Sequence, residues 1–343
     1  MTIELGFGLI TCQRFPGETR SDVELYAEAL ELVVEAEQAG FDSVWVSEHH
    51  FVDDGYLPSL LPMLAAFAAV TERIELGTGI VLTPFHDPLR LAEDVAVVDQ
   101  LSNGRVILGL AVGWREEEFR MFGVHKRDRA RRTAETIEVL RRAWTGRRFS
   151  FEGRTMSYDR VKVTPPPARV GGPRIFLGGY DERAVRRAGR MADGYITDET
   201  EAELDRASAV LDEGARDAGR DPRRVALALT RNVFPWRGGD HWDVLREGLT
   251  QQLGAYRAWE LDHDTPERDE LAPVLDEDEA RRWTCAGEPA DVVTALRPML
   301  ARFADRDELH LVVRLHYPGM DLATAARATE LFAREVMPPL RAP

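Results

Sequence analysis

Short apolar runs alternate along the chain with longer segments whose apolar residues recur at helical spacing. The first run, residues 3–10, precedes a segment in which five apolar residues share one helix face: Leu25, Ala29, Leu32, Val33 and Ala36. Apolar runs that are each followed by an amphipathic helix are typical of βαβ units, which build parallel sheets. The pattern therefore predicts an α/β protein.

Eight such runs predict eight strands, each with a helix after it. We place the strands at residues 3–10, 43–46, 74–82, 105–112, 174–178, 194–197, 225–233 and 308–315. The simplest architecture for eight units is one closed (β/α)8 barrel, the TIM barrel. An open doubly wound sheet is the alternative, but it usually has fewer strands and a glycine-rich turn after the first strand. Gly6 and Gly8 lie within the first strand instead, which favours the barrel.

Two stretches interrupt this regular alternation. Residues 146–172 contain three consecutive prolines and a glycine pair, a composition that predicts an insertion rather than a domain boundary. Residues 262–279 are acidic, contain two prolines and follow the seventh strand, so we predict a mobile loop over the mouth of the barrel. We therefore expect a single domain over residues 1–343, built on one barrel with insertions.

Composition limits the partners and the location of the protein. The 59 acidic and 44 basic residues give a formal net charge of −15, which disfavours binding to nucleic acid. The N-terminus has no signal-peptide pattern, and no apolar run approaches the roughly 20 residues of a membrane span, so we expect a cytoplasmic protein without a membrane partner. Cys12 and Cys285 are far apart and have no metal-ligand spacing, so we expect no structural metal.

The chemistry of a TIM barrel lies at the C-terminal ends of its strands. His49 and His50 follow the second strand, and because imidazoles titrate near neutral pH, both are candidates for a general acid or base. The alternative is that one of them is structural. Three further residues at strand ends could join them as metal ligands, which leaves a metal-dependent TIM-barrel hydrolase as a distant alternative: His86, Asp198 and His316.

A candidate phosphate site follows the fifth strand. Gly178, Gly179 and Tyr180 precede a predicted helix, so their backbone N–H groups could bind an anion with the helix dipole behind them. The alternative is an ordinary turn that needs glycine for its dihedral angles. Arg129 or Arg131, at the start of an earlier helix, could reach the same phosphate as a bidentate partner.

Taken in order, seven segments of the chain resemble the bacterial luciferase-like monooxygenase family, whose members are flavin- or F420-dependent oxidoreductases on a TIM barrel. The segments are residues 39–45, 48–51, 91–95, 101–105, 119–123, 161–165 and 178–179. Each motif is weak alone, but their order and spacing are specific from the first strand to about Gly194. Beyond that point only the barrel pattern continues.

The resemblance implies a reduced flavin over the C-terminal mouth of the barrel, with its phosphate near Gly178, Gly179 and Tyr180. It also implies that His49 matches the histidine of luciferase's oxidative chemistry, with His50 beside it. Family members often have a non-proline cis peptide on the third strand under the flavin ring. By position this bond would be Gly79-Ile80, which makes both residues candidates for the cofactor site.

The implied activity is that of a monooxygenase, in which reduced FMN and O2 oxidise a small organic substrate and a separate flavin reductase supplies the FMN. Two departures from luciferase affect this prediction: Ala111 replaces a reactive cysteine, and Val112 replaces an arginine near the phosphate. The alternative cofactor is therefore F420, which related barrels use for hydride transfer without oxygen. Because relatives commonly pair through barrel helices, we also expect a homo-oligomer such as a dimer.

Overall fold

The computed structural model describes residues 2–260 and 277–342. Eight parallel strands form a closed barrel: β1 (Thr2–Ile10), β2 (Ser43–Val46), β3 (Glu75–Thr78), β5 (Val106–Ala111), β8 (Arg174–Gly178), β9 (Gly194–Thr197), β10 (Ala226–Pro235) and β12 (Glu308–Arg314). The barrel closes because β1 pairs with both β2 and β12, with Leu5 opposite Leu311. The predicted TIM barrel is confirmed.

Helices surround these strands on the outside. They are α1 (Asp22–Ala39), α2 (Leu60–Val70), α3 (Pro88–Leu101), α4 (Glu116–Met121), α5 (Arg129–Ala143), α6 (Glu182–Met191), α7 (Glu201–Asp217), α8 (His241–Glu260), α9 (Glu277–Arg282), α10 (Pro289–Ala301), α11 (Leu322–Leu331) and α12 (Met337–Arg341). The capping signals of α1 are local: Ser21 and Glu24 form a capping box, and Gly40 ends the helix with a φ of 90°. None of the described helices is long and apolar enough to cross a membrane.

Four short strands add to the barrel or lie beside it. Strand β4 (Val81–Leu82) continues the line of β3 and pairs with β5, and β11 (Thr284–Gly287) extends the sheet outside β10. Strands β6 (Phe149–Glu152) and β7 (Ser157–Val161) form an antiparallel hairpin within the predicted insertion at 146–172. Of the predicted mobile loop at 262–279, residues 262–276 lie outside the described residues, and Glu277 begins α9.

Large side chains fill the interior of the barrel, so ligands can reach only its mouths. Trp45 is fully buried at the centre of an inner cluster that includes Phe176 and Val312. Gly77 leaves room for the indole, since a Cβ at this position would lie 2.3 Å from the Trp45 ring. The barrel is therefore a packed core, and chemistry must take place at the C-terminal mouth.

The predicted cis peptide at Gly79-Ile80 is wrong. Among the described residues, the non-proline cis bond is Gly8-Leu9 on β1. The backbone N–H of Gly79 instead donates to the Val46 carbonyl oxygen at 2.7 Å, as in a regular ladder, whereas β1 shifts its register against β2 between Phe7 and Ile10. The two positions are neighbours, because a Cβ on Gly79 would lie 2.7 Å from Leu9 Cδ2.

Candidate active site

His49 lies at the mouth directly after β2, and a carboxylate from α4 orients its ring. His49 Nδ1 is 3.1 Å from Glu118 Oε1, and both side chains are buried. The same oxygen accepts the backbone N–H of His50 at 3.1 Å. A proton on Nδ1 satisfies the carboxylate and leaves Nε2 as the basic nitrogen. Nε2 has no hydrogen-bond partner among the described residues, so it is available to a ligand.

Arg115 joins α4 to the loop after β2. Its guanidinium donates to the His50 carbonyl oxygen at 2.7 Å and to Glu118 Oε1 at 3.4 Å, and the side chain is fully buried. Arg115 is among the strand-end residues that the sequence singles out, but without a role, and Glu118 was not predicted. The available signal was the position of residues 115–118 after β5, at a strand end, but the three consecutive glutamates gave no indication of which one faces inward.

Aromatic side chains enclose the His49 ring. Ring centroids lie 5.0 Å away at Tyr56, 5.5 Å at Tyr256 and 4.7 Å at Trp259. Tyr256 and Trp259 come from α8, which reaches over the mouth after β10. The hydroxyl oxygens of Tyr56 and Tyr256 are 2.8 Å apart, and burial raises the pKa of both phenols. They therefore remain protonated at neutral pH and can donate hydrogen bonds.

His50 has different partners from His49. Its Nε2 lies 2.8 Å from Glu48 Oε1, and His86 Nε2 lies 3.6 Å from the same oxygen. Burial alone would raise the pKa of Glu48, but hydrogen bonds from the two imidazoles outweigh burial and lower that pKa. The His50 ring also packs edge-on against Phe122. This geometry favours His49 over His50 as the residue that meets a substrate.

The turn after β8 is fixed by contacts with β9 and with the start of α6. Gly179 has a φ of 145°, and a Cβ there would lie 2.7 Å from the Ala184 Cβ, so a side chain would not fit. Tyr195 donates to the Gly179 carbonyl oxygen at 2.8 Å, and the exposed Tyr180 donates to Asp198 at the same distance. Asp181 caps α6 by accepting the N–H of Ala184.

The two predicted arginines point in different directions. Arg129 begins α5 on its inner side and lies close enough to Arg187 of α6 for their charges to interact. Burial lowers the pKa of Arg187, Asp181 opposes that change, and Arg129 adds to it. Neither guanidinium has a hydrogen bond or ion pair within the described part of the chain. Arg131 is exposed on the other side of α5, where its charge acts on Glu135.

Gly178, Gly79 and Ile80 meet at the floor of the mouth. A Cβ on Gly178 would lie 2.5 Å from Ile80 Cδ1, and Ile80 packs against the inner cluster around Trp45. The structure thus brings Gly79, Ile80 and Gly178 together, with Gly179 and Tyr180 following in the turn. Arg187 interacts through its charge with Asp181 of this turn and with Arg129. The structure does not bring Arg131 there. Arg187 was missed because an arginine in mid-helix has no sequence signal that separates it from a solvated surface residue.

The three candidate metal ligands have other surroundings. His86 lies against Glu48, Asp198 accepts from Tyr180, and burial lowers the pKa of His316 to about 4. Across residues 2–260 and 277–342, no group of three or more His, Cys, Asp or Glu side chains is placed to hold a metal ion.

Comparisons with known proteins place this site in a family. The model of the luciferase-like monooxygenases matches residues 5–305. An F420-dependent glucose-6-phosphate dehydrogenase from Nakamurella multipartita is 31% identical over 92% of this chain and 93% of its own length. Monooxygenase RslO1 from Streptomyces bottropensis superposes with a TM-score of 0.78 at 25% identity, over 98% of this chain and 99% of that protein. An F420-dependent secondary alcohol dehydrogenase, solved with an F420-acetone adduct, has a TM-score of 0.78 at 20% identity over the full length of both chains. The chain therefore belongs to the luciferase-like monooxygenase family of oxidoreductases.

Proposed function

We propose that this protein is an F420-dependent oxidoreductase that transfers a hydride between the deazaflavin and an alcohol or its carbonyl product. The observation that carries the proposal is the 31% identity to an F420-dependent dehydrogenase over more than nine-tenths of both chains. It favours F420, the alternative cofactor of the sequence analysis, over FMN. The replacement of two luciferase residues by Ala111 and Val112 supports the same choice.

The residues at the mouth fit a cofactor with a phosphate group. Arg129 and Arg187 are two guanidinium groups without an anionic hydrogen-bond partner among the described residues, and Arg187 is close enough to Asp181, the N-cap of α6, for their charges to interact. Gly179 allows the backbone of the turn to approach an anion, because no side chain intervenes. Gly79 and Ile80 would lie under the ring. When bound, F420 supplies the site that accepts or donates a hydride.

His49 would supply the acid-base chemistry of the reaction. Oxidation of an alcohol breaks a C–H bond, whose electron pair leaves as hydride, and an O–H bond, whose proton needs an acceptor. Nε2 of His49 accepts that proton while the C=O bond forms, and it returns the proton in the reverse reaction. Glu118, 3.1 Å from Nδ1, stabilises the resulting imidazolium and fixes its orientation. Tyr256 and Trp259 limit the access of water.

A flavin-dependent monooxygenase is the second candidate. The 25% identity to RslO1 over nearly the whole chain favours it. In that case reduced FMN from a separate reductase and O2 would oxidise a small organic substrate in the same pocket. The comparisons give no support to the metal-dependent hydrolase, because the relatives are oxidoreductases.

Anaerobic turnover separates the two candidates. Purified protein is incubated without O2, with F420 and a panel of primary, secondary and sugar alcohols, and the visible absorbance of oxidised F420 is followed. We expect alcohol-dependent reduction of F420 and no reduction of FMN under the same conditions. Substrate oxidation that requires both reduced FMN and O2, with no reduction of F420 by any alcohol, would overturn the proposal.

A further inference from the structure

Arg314 is a cation inside the mouth of the barrel. Alternate residues of β12 face the interior: the His310 ring lies 5.4 Å from that of Phe176, and Val312 belongs to the inner cluster. Arg314 is the next residue on the same face, at the C-terminal end of the strand. Its side chain is therefore one layer above the packed core, and only 6% of the residue is exposed.

The guanidinium of Arg314 has no hydrogen bond or ion pair with any described residue. The backbone is fixed, because Tyr317 donates its hydroxyl proton to the Arg314 carbonyl oxygen at 2.9 Å. A buried guanidinium without a partner loses hydration and gains nothing in return. A ligand with an anionic oxygen would supply the missing charge-assisted hydrogen bonds.

The neighbours of Arg314 include the two phenols that enclose His49. Burial raises the pKa of Tyr56 and of Tyr256, and the positive charge of Arg314 opposes both increases. The two hydroxyl oxygens are 2.8 Å apart, and the Ser47 hydroxyl is a hydrogen-bond partner of both phenols. Both rings contact His49, with centroids within 5.5 Å. The charge of Arg314 thus acts on the hydroxyl pair that lies beside the candidate base.

We propose that Arg314 and the Tyr56–Tyr256 pair form a subsite for an anionic group of the substrate, either a carboxylate or a phosphate monoester. The assignment of this anion to the substrate rests on the proposed function, in which His49 acts on the neighbouring carbon. The subsite is separate from the Arg129–Arg187 pair, because β9 and β10 lie between β8 and β12 around the barrel. A cofactor phosphate bound at the Arg129–Arg187 pair would leave the Arg314 subsite free.

The proposed subsite predicts that the protein binds an anionic ligand more tightly than a neutral ligand of the same shape. Hydrogen bonds to a charged group typically change affinity by about ten- to a hundred-fold. Acetate and acetamide have the same shape and differ in charge, so they isolate this effect. Inorganic phosphate represents the phosphate monoester. F420 should be bound during the measurement, so that its own phosphate occupies the Arg129–Arg187 pair and free phosphate reports on the Arg314 subsite.

The experiment is a ligand-observed NMR titration of the F420-loaded protein with acetate, acetamide and inorganic phosphate. We expect acetate or phosphate to bind at least about ten-fold more tightly than acetamide. Arg314→Met should remove this preference and leave the Kd for F420 within about two-fold, while Arg314→Lys should retain part of the preference. Arg206→Met on α7, which removes the same charge at an exposed position, should change neither value. Melting curves confirm that each variant is folded.

The outcomes separate the alternatives. Preference for acetate over phosphate identifies a carboxylate subsite, and the reverse identifies a phosphate subsite. The proposal is overturned if neither acetate nor phosphate binds to the wild type more tightly than acetamide, or if anion binding by Arg314→Met is unchanged. A loss of F420 affinity in Arg314→Met, in place of a loss of anion affinity, also overturns it, since Arg314 would then serve the cofactor. If the wild type binds no F420 but selects acetate through Arg314, the proposed function fails and the subsite is supported.

Discussion

His49 and Glu118 are 69 positions apart in the chain, yet their side chains meet at 3.1 Å in a buried pocket. The contact exists because β2 and α4 both reach the C-terminal mouth, and Arg115 ties the two segments together through the His50 carbonyl oxygen. An imidazole whose Nδ1 is held in this way presents Nε2 in a single orientation. Two substitutions test the role of His49 as the proton acceptor and the role of Glu118 as the residue that positions it.

His49→Asn should lower kcat/KM for alcohol oxidation by about 10²- to 10⁴-fold, because the proton acceptor is lost. The Kd for F420 and the melting temperature should change little, since Arg115 and the His50 N–H still satisfy Glu118. Steady-state kinetics, a fluorescence titration and a melting curve supply the three values. A folded variant with full activity would show that the imidazole has no part in the reaction.

Glu118→Gln should act through His49 as the loss of a positioning residue. The amide keeps the shape of the side chain but loses the charge that stabilises the imidazolium, so we expect kcat to fall by about ten- to a hundred-fold while KM stays within about two-fold. A merely structural role would lower the melting temperature and leave kcat of the folded fraction unchanged. The matched control is Glu116→Gln, on the same helix, whose exposed carboxylate pairs with Lys126 and not with the site.

At the scale of elements, Arg129 at the start of α5 and Arg187 in the middle of α6 would form the anchor for the cofactor phosphate. Arg187→Ala should weaken binding of F420 by about ten- to a hundred-fold and change binding of its phosphate-free deazaflavin core much less. Arg131→Ala is the matched control, because this exposed arginine lies on the opposite side of α5. Fluorescence titrations with F420 and with its phosphate-free core give the loss of affinity for each. Equal losses for the two forms in Arg187→Ala would place the phosphate elsewhere.

The sequence predicts these elements well where the signal is local. Apolar runs of strand length and helical periodicity specify the barrel, and the rule that strand ends carry chemistry makes His49 a candidate. Tyr256 and Trp259 were not predicted at the site, because no local sequence signal shows that α8 turns back over the mouth. Arg314 was also missed, although its alternation with His310 and Val312 in β12 is a signal that would have indicated an inward-facing side chain. The cis peptide was placed on the third strand because family members often have one there. In this structure the irregularity lies on β1 instead, where the register against β2 shifts.

For the whole molecule, the lower mouth of the barrel supplies stability. Glu308 of β12 accepts from His310 at 2.6 Å and pairs with Arg174 of β8, which also binds Glu75 of β3 at 2.7 Å. These contacts tie three separated strands together at the end opposite the active site. Burial would raise the pKa of Glu308, but His310 and Arg174 lower it from 4.5 to about 2.

A lowered pKa in the folded state gives stability that is present above the unfolded value of 4.5 and is lost as the pH falls toward 2. We therefore expect the melting temperature to fall through this range. Glu308→Gln should cost about 1 to 3 kcal/mol of stability at neutral pH and should make the acid dependence shallower. Activity at neutral pH should be retained, because the residue is remote from the mouth. If the melting temperature of the variant falls with pH as steeply as that of the wild type, other carboxylates cause the loss of stability in acid.

The identity of the cofactor is the central claim, and an equilibrium titration tests it most directly. Fluorescence of F420 and of FMN is followed as each is titrated with the purified protein under one set of conditions. We predict that F420 binds at least about ten-fold more tightly than FMN, a difference of roughly 1.4 kcal/mol or more. Tighter binding of FMN, or no binding of F420, would contradict the account.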